Sequence, residues 1–166
     1  MDTLRYIGNY ADWLQEVWIT EAMTEQGWAR PPSCPVDEYH TEVYRKAGES
    51  GYDLNAVHFW YFKDENFKYD LQPPWLTSKD YYWWIVKMLP SQYMNMHQDP
   101  DVEKEVIRYW MPWTDYEQGH IFMIGNQVIT DYKKGDVYAY KEKDAYHGSA
   151  NIGYTPRLVL QVTEFV

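Results

Sequence analysis

A single cysteine, Cys34 in Pro31-Pro32-Ser33-Cys34-Pro35, rules out an internal disulfide in this chain of 166 residues and makes a reducing compartment the simpler setting. Zinc sites built on paired cysteines are excluded for the same reason, and there is neither a Gly-x-Ser-x-Gly elbow nor a phosphate-binding glycine loop. Positive charge is scarce. Fifteen Lys and Arg face 25 Asp and Glu, a formal charge of −10, so the chain repels a phosphate backbone and no nucleic-acid partner is expected. Long apolar runs are missing too: Tyr81 to Leu89 is broken by Lys87 and falls well short of the ~20 residues of a membrane helix. The first residues, Met1-Asp2-Thr3-Leu4-Arg5-Tyr6, lack the basic and apolar regions of a secretory signal. The expectation is a soluble, cytoplasmic protein with no membrane partner. Asp99, Asp101 and Glu103 hint at a calcium loop, but Lys104 stands at the sixth position, where that loop needs Gly.

Aromatics, by contrast, are abundant: 17 Tyr, 9 Trp and 5 Phe make 19% of the chain, within a hydrophobic share of 45%, enough large side chains to fill one core. Residues 9 to 27 place Trp13, Leu14, Val17, Trp18 and Ala22 at helical spacing and predict an amphipathic helix ending near Gly27. Residues 28 to 54, with three prolines and two glycines, read as loop. From Ala56 onward the signals are β: Val57 to Phe62, Tyr81 to Leu89, Tyr93 to Asp99, Val106 to Trp110, Ile121 to Gly125, Gln127 to Thr130, Val137 to Tyr140, Tyr146 to Gly148 and Arg157 to Glu164. Tyr81 to Leu89 also fits a helix behind a Thr77/Asp80 capping box, but its aromatic density and the stop at Pro90 favour a strand. Many short strands with short turns predict a sandwich or jelly roll, with helix only near the N-terminus.

The chemistry gathers around Met96-His97-Gln98-Asp99-Pro100. On a strand, His97 and Asp99 point to one face about 6–7 Å apart. His147 follows 50 residues later, behind the predicted strand Gly135 to Tyr140, a separation that a closed barrel can bring back to the first pair. Two imidazoles and one carboxylate form a facial triad with three open coordination positions, the arrangement suited to iron(II) and oxygen. Arg157 lies ten residues beyond His147; its fork grips a carboxylate through two parallel hydrogen bonds and stays charged in a partly dry pocket, so it suits the far end of a dicarboxylic co-substrate.

With these residues in place the sequence resembles the 2-oxoglutarate and iron(II)-dependent oxygenase superfamily, which includes prolyl hydroxylases and aspartyl/asparaginyl hydroxylases. Val86 to Asp99, Gly135 to Tyr138, Ala145 to Asn151 and Pro156 to Leu160 carry the resemblance, in the expected order. It implies a mainly β (α+β) double-stranded β-helix, or jelly roll, in a single domain over 1–166, with helical or irregular N-terminal support over 1–55 and the β-helix core over 56–166. It also implies Fe(II) held by His97, Asp99 and His147, Arg157 on the C5 carboxylate of 2-oxoglutarate, and O2 as oxidant. The reaction would hydroxylate a C–H bond of a peptide or protein side chain or a small metabolite, releasing succinate and CO2. Two positions depart from the pattern: Ser91 stands where many members have Gly, and Val159 where the plant branch has Ser.

Two further residues belong to this expectation. Arg108 sits on a predicted core strand, and the aspartyl/asparaginyl hydroxylases are similar in carrying an Arg shortly after the first ligand, so it is a candidate for the co-substrate. Tyr93 shares a face with His97 if the strand is regular, which would bring its hydroxyl to 2-oxoglutarate. His120 has no Arg at a suitable distance after it and reads as structural; His40 and His58 read as loop and core residues. Residues 28 to 54 and 61 to 75 are candidate lids. Two other readings stay open: a cupin-type metal-binding jelly roll, isomerase or dioxygenase, that needs no co-substrate, and a non-catalytic, aromatic-rich β binding module.

Overall fold

In the computed structural model the described residues are 4–24, 59–62, 71–98, 105–141 and 145–166. Asp99, Cys34, His40, His58 and the predicted loop at 28 to 54 lie outside them. Among the described residues there are ten strands: β1 Leu4–Asn9, β2 Phe59–Phe62, β3 Tyr81–Met88, β4 Gln92–His97, β5 Val106–Pro112, β6 His120–Ile124, β7 Gln127–Ile129, β8 Asp136–Lys141, β9 His147–Asn151 and β10 Arg157–Phe165. They form two antiparallel sheets, a six-stranded one in the order β1-β8-β5-β10-β3-β2 and a four-stranded one in the order β4-β9-β6-β7. From β3 to β6 and again from β7 to β10 consecutive strands alternate between the sheets, so most neighbours in a sheet are far apart in sequence, the β6–β7 hairpin being an exception. This is a double-stranded β-helix, as the sequence predicts.

Alternation along β10 shows how the two faces are used. Leu158, Leu160 and Val162 point outward, where they pack with Trp83, Ile85, Tyr109, Met111, Val137 and Ala139 of the same sheet beneath Leu14, Trp18, Ile19 and Ala22. Arg157, Val159, Gln161 and Thr163 take the opposite face and look into the barrel, where Val159 joins Trp110, Phe122, Ile124, Tyr132 and Tyr140. With both faces covered, β10 and β3 lose the polar half of the strand pattern. That is why Tyr81 to Leu89 reads ambiguously as sequence and is nevertheless a strand.

The N-terminal support differs from expectation. Instead of a helix over 9 to 27, residues Leu4–Asn9 pair with β8 and extend the large sheet, a 3-10 turn covers Ala11–Trp13, and the helix α1 spans Glu16–Thr24. Asn9 causes the break. Its side-chain oxygen accepts the Ala11 N–H at 3.0 Å while its Nδ2 donates to the Lys134 carbonyl and to Asp136 Oδ1, a local hydrogen-bonding alternative that stops a helix from starting there. The sheet thus begins at residue 4, and the boundary at 55/56 does not separate helical from β structure. Leu14, Trp18 and Ala22 form the buried stripe facing the sheet, with Ile19 beside it and Val17 exposed; burying each of the larger side chains stabilises by roughly 1.5–3 kcal/mol. Lys87, on the outer face of β3, donates to the carbonyls of Ala22 and Met23 and caps the end of α1.

Candidate functional site

β4 and β9 are neighbours in the small sheet, and His97 stands directly opposite His147. Their rings lie 4.4 Å apart, both inside the barrel at 4% and 3% exposure. His97 Nδ1 is 2.7 Å from the Asn95 carbonyl and His147 Nδ1 is 3.4 Å from the Ala145 carbonyl. A ring that donates from Nδ1 to a carbonyl carries its lone pair on Nε2, the tautomer a metal ligand needs. Among the described residues no three His, Cys, Asp or Glu gather as metal ligands; the two histidines are brought together, while Asp99 lies outside that set.

An irregularity in β4 decides which side chains join them. Met94 pairs with Ser149 and His97 with His147, so three steps along β4 match two along β9, a bulge that reverses the alternation. Met94 is therefore the residue that shares the inner face with His97. Tyr93, paired with Ala150, is turned outward and 50% exposed. The expectation that Tyr93 reaches 2-oxoglutarate assumed a regular strand and is corrected by this bulge.

Arg157 opens β10 on the inner face and is 3% exposed. Its Nη1 donates to the Ile121 carbonyl at 2.8 Å and lies 3.8 Å from Met88 Sδ, and its Cζ is 5.6 Å from the centre of the Trp110 ring. Nε is buried without a hydrogen-bond partner, and no carboxylate among the described residues pairs with the guanidinium. Burial that strips its water brings the Arg157 pKa down to about 10, with Tyr132 pulling the other way. A buried cation short of an anion is costly, and it faces the same interior as the histidine pair.

Arg108 is also on the inner face, 6% exposed, donating to Thr163 Oγ1 at 2.9 Å with its Cζ 5.3 Å from the Trp84 ring centre. Between the two arginines runs a cross-strand row, Trp110–Gln161–Trp84, tied by a 2.6 Å hydrogen bond from Trp84 Nε1 to Gln161 Oε1. Sequence reasoning did not pick out Trp84, Trp110 or Gln161, yet period-two counting from Arg157 reaches Gln161 directly. Tyr140, on β8, places its ring 5.6 Å from that of His147, and no local motif marks it. His120, expected to be structural, is fully buried, with Nε2 3.1 Å from the Thr155 carbonyl and Nδ1 3.4 Å from the Tyr132 hydroxyl, and with its pKa lowered by burial.

No family model matches the sequence, and none of the curated proteins does. Among solved structures, the viral collagen prolyl hydroxylase of Paramecium Bursaria Chlorella virus-1, in its 2OG complex, is similar over 98% of this chain and 94% of its own, with a TM-score of 0.53 at 11% identity. That likeness is one of fold. A cupin domain from an XRE-family transcriptional regulator of Enterobacter cloacae matches over 64% of this chain and 97% of its own, at 13% identity and a TM-score of 0.44. A sugar phosphate isomerase of the cupin superfamily from Silicibacter pomeroyi matches over 52% of this chain at 13% identity and a TM-score of 0.38, and this chain spans about half of its length, 51%.

Proposed function

We propose that the chain is a single-domain dioxygenase dependent on Fe(II) and 2-oxoglutarate, with His97, His147 and Asp99 as metal ligands and Arg157 as the anchor of the co-substrate. The observation that carries this reading is Arg157: a buried guanidinium, with an unpartnered Nε and no carboxylate partner among the described residues, inside the same barrel as two facing histidines. The donor set fits the metal. Two imidazoles whose Nδ1 atoms turn to backbone carbonyls hold Nε2 for coordination, and a two-His, one-carboxylate set suits iron(II).

When bound, iron(II) and 2-oxoglutarate supply oxygen activation coupled to decarboxylation, with succinate and CO2 released and a substrate C–H bond hydroxylated. The chain's own part is binding, orientation and the exclusion of water. Arg157 accepts a carboxylate along its Nε edge, while the Ile121 carbonyl and the Trp110 face fix the guanidinium from its other sides. Phe122, Ile124, Val159 and Trp110 keep the interior apolar around it, which strengthens the ion pair once formed.

Anaerobic titration of the iron-loaded protein with 2-oxoglutarate tests this through the weak visible charge-transfer band of the chelate. The band is expected in the wild type, absent in His147→Ala, and shifted to about 10- to 100-fold higher 2-oxoglutarate concentration in Arg157→Ala, from the loss of charge-assisted hydrogen bonds. An iron-loaded wild type without the band overturns the reading and leaves a metal-binding jelly roll that ignores 2-oxoglutarate.

A further inference from the structure

The inner face of the small sheet is laid out in rows that cross its strands. One row reads His97, His147, Ile124 and Gln127, each directly opposite the next on β4, β9, β6 and β7. The row below it reads Met94, Ser149, Phe122 and Ile129. Ile124, Phe122 and Ile129 all belong to the interior cluster, so alternation turns Gln127 to the same inner face as the histidines. Two cross-strand steps of about 5 Å set the Gln127 backbone about 10 Å from that of His147, with the fully buried Ile124 between them. The turn that precedes Gln127 is fastened at this end of the barrel: the Gly125 N–H donates at 2.7 Å to the carbonyl of Tyr146, the residue before His147.

Gln127 is half-buried, and its Oε1 is buried and meets no hydrogen-bond donor among the described residues. A carbonyl oxygen that has lost water and gained no donor is costly. The co-substrate does not supply that donor, because 2-oxoglutarate as a dianion offers acceptors alone. Nor does its path lead there. The guanidinium of Arg157 is held by the Ile121 carbonyl, three residues or about 10 Å down β6 from Ile124, so a dicarboxylate reaching from the histidines to Arg157 runs along the strands past Ser149 and Phe122. Gln127 lies to the side, at the height of the histidines.

We infer that Gln127 binds the primary substrate, with Oε1 accepting a hydrogen bond from a substrate amide N–H. The assignment rests on the oxygenase reading and names the substrate class for it: a molecule with an amide beside the reacting C–H bond, either a peptide group or a side-chain carboxamide. A carboxamide holds an acceptor and a donor side by side in one plane, the complement of another amide. Its neighbours Ile124, Phe122 and Ile129 are apolar, surroundings that suit a neutral polar group better than an ammonium or a carboxylate. An amide anchored at Gln127 carries a C–H bond a few atoms away along the row toward the histidine pair.

Protein loaded with Zn(II) and saturated with 2-oxoglutarate does not turn over and keeps the co-substrate site filled. Saturation-transfer NMR on it compares amides with esters of the same shape, which keep the carbonyl and lack the N–H. N-acetyl-L-norvaline methylamide and its methyl ester represent the peptide group; doubly capped glutamine and doubly capped glutamate γ-methyl ester represent the side-chain carboxamide. In one pair the amide is expected to bind at least about tenfold more tightly than the ester, and the pair that shows this names the source of the amide. Gln127→Met fills a similar volume with apolar atoms. It is expected to erase the preference, to leave 2-oxoglutarate affinity within about twofold, as for a side chain off the co-substrate's path, and to raise the Tm of the ligand-free protein because an unpaired buried oxygen is gone. Gln127→Asn, with the carboxamide on a shorter stem, should keep part of the preference. Equal binding of amides and esters in both pairs, no binding in either, or a preference that survives Gln127→Met overturns the assignment. So does a lower Tm in Gln127→Met, which would mean that Oε1 is already satisfied in the free protein. A wild type that binds zinc but not 2-oxoglutarate, seen before any amide is added, brings down the oxygenase reading itself.

Discussion

At the scale of single residues, Ser91 carries a cost that its sequence context explains. Gln92 N donates to the Leu89 carbonyl at 3.1 Å across Pro90 and Ser91, and Ser91 has φ +70°, the left-handed third position of a type II turn, which favours Gly. Ser91→Gly should therefore raise stability by about 0.5–1 kcal/mol, read as a higher urea midpoint at unchanged slope. Glu164 is a different case, a fully buried carboxylate on the outer face of β10. It accepts from Thr77 N, Thr77 Oγ1 and Ser78 N, and from the Tyr109 hydroxyl at 2.6 Å. Burial pushes its pKa up, but these hydrogen bonds outweigh burial and hold it below the unfolded value of 4.5. A depressed carboxylate contributes stability that is complete above the unfolded pKa and is lost as pH falls through the folded one. Glu164→Gln is expected to cost about 1.5–3 kcal/mol at neutral pH, and the gap from wild type to narrow below pH 4.5 in a pH series of thermal melts. His97, His147 and Arg157 stood out at this scale because the chemistry proposed for them is carried by residue type. Arg108 was legible as a buried residue but not in direction, since a side chain that crosses a neighbouring strand obeys no local pattern.

Elements tell which parts of the sequence pattern survive folding. β5 to β8 and β10 match their predicted positions within a few residues, because alternation and turn chemistry are local. β9 runs on to Asn151 instead of stopping at Gly148, since the Asn151 carboxamide makes the turn contacts, to Gly153 N and the Thr155 carbonyl, while its backbone stays in the ladder. β1 was read as no element at all; its alternation is weak, and it is a strand because β8 offers it an edge. The β4 bulge likewise belongs to the pairing of two strands and not to either alone. The junction of α1 with the large sheet rests on Lys87, whose pKa is lowered by burial as its Nζ meets two helix-end carbonyls. Lys87→Met keeps the apolar stem and removes the cap, at an expected cost of about 1 kcal/mol. Hydrogen exchange of the last turn of α1 should accelerate more than exchange in β3; equal acceleration would mean that Lys87 stabilises the sheet and not the helix.

For the whole molecule, a chain of net charge −10 buries two arginines, Arg108 and Arg157, on the inner face of its barrel. A carboxylate that pairs with Arg157 and a metal held by the histidines should stabilise the fold. A metal present at a hundredfold excess over its dissociation constant adds about 2.7 kcal/mol, roughly 5–10 °C in Tm for a chain of this length. That rise is expected with Fe(II) or Zn(II) in the wild type and should vanish in His97→Ala and His147→Ala. A Tm indifferent to metal would speak for a binding module without a metal centre. No helix among the described residues is long and apolar enough to cross a membrane, in keeping with the short apolar runs of the sequence.

The amino-acid sequence alone determined the class of fold, the positions of most strands and the residue types able to hold a metal and a dicarboxylate, because β alternation, turn residues and side-chain chemistry are written within a few neighbouring positions. Tertiary structure alone decided that His97 faces His147, that Tyr93 points outward, that Arg157 lacks a carboxylate partner among the described residues and that Arg108 lies between Thr163 and the Trp84 ring. These depend on the register between strands that are far apart in sequence, and register is set by the packing of whole faces, which a local stretch of sequence does not contain.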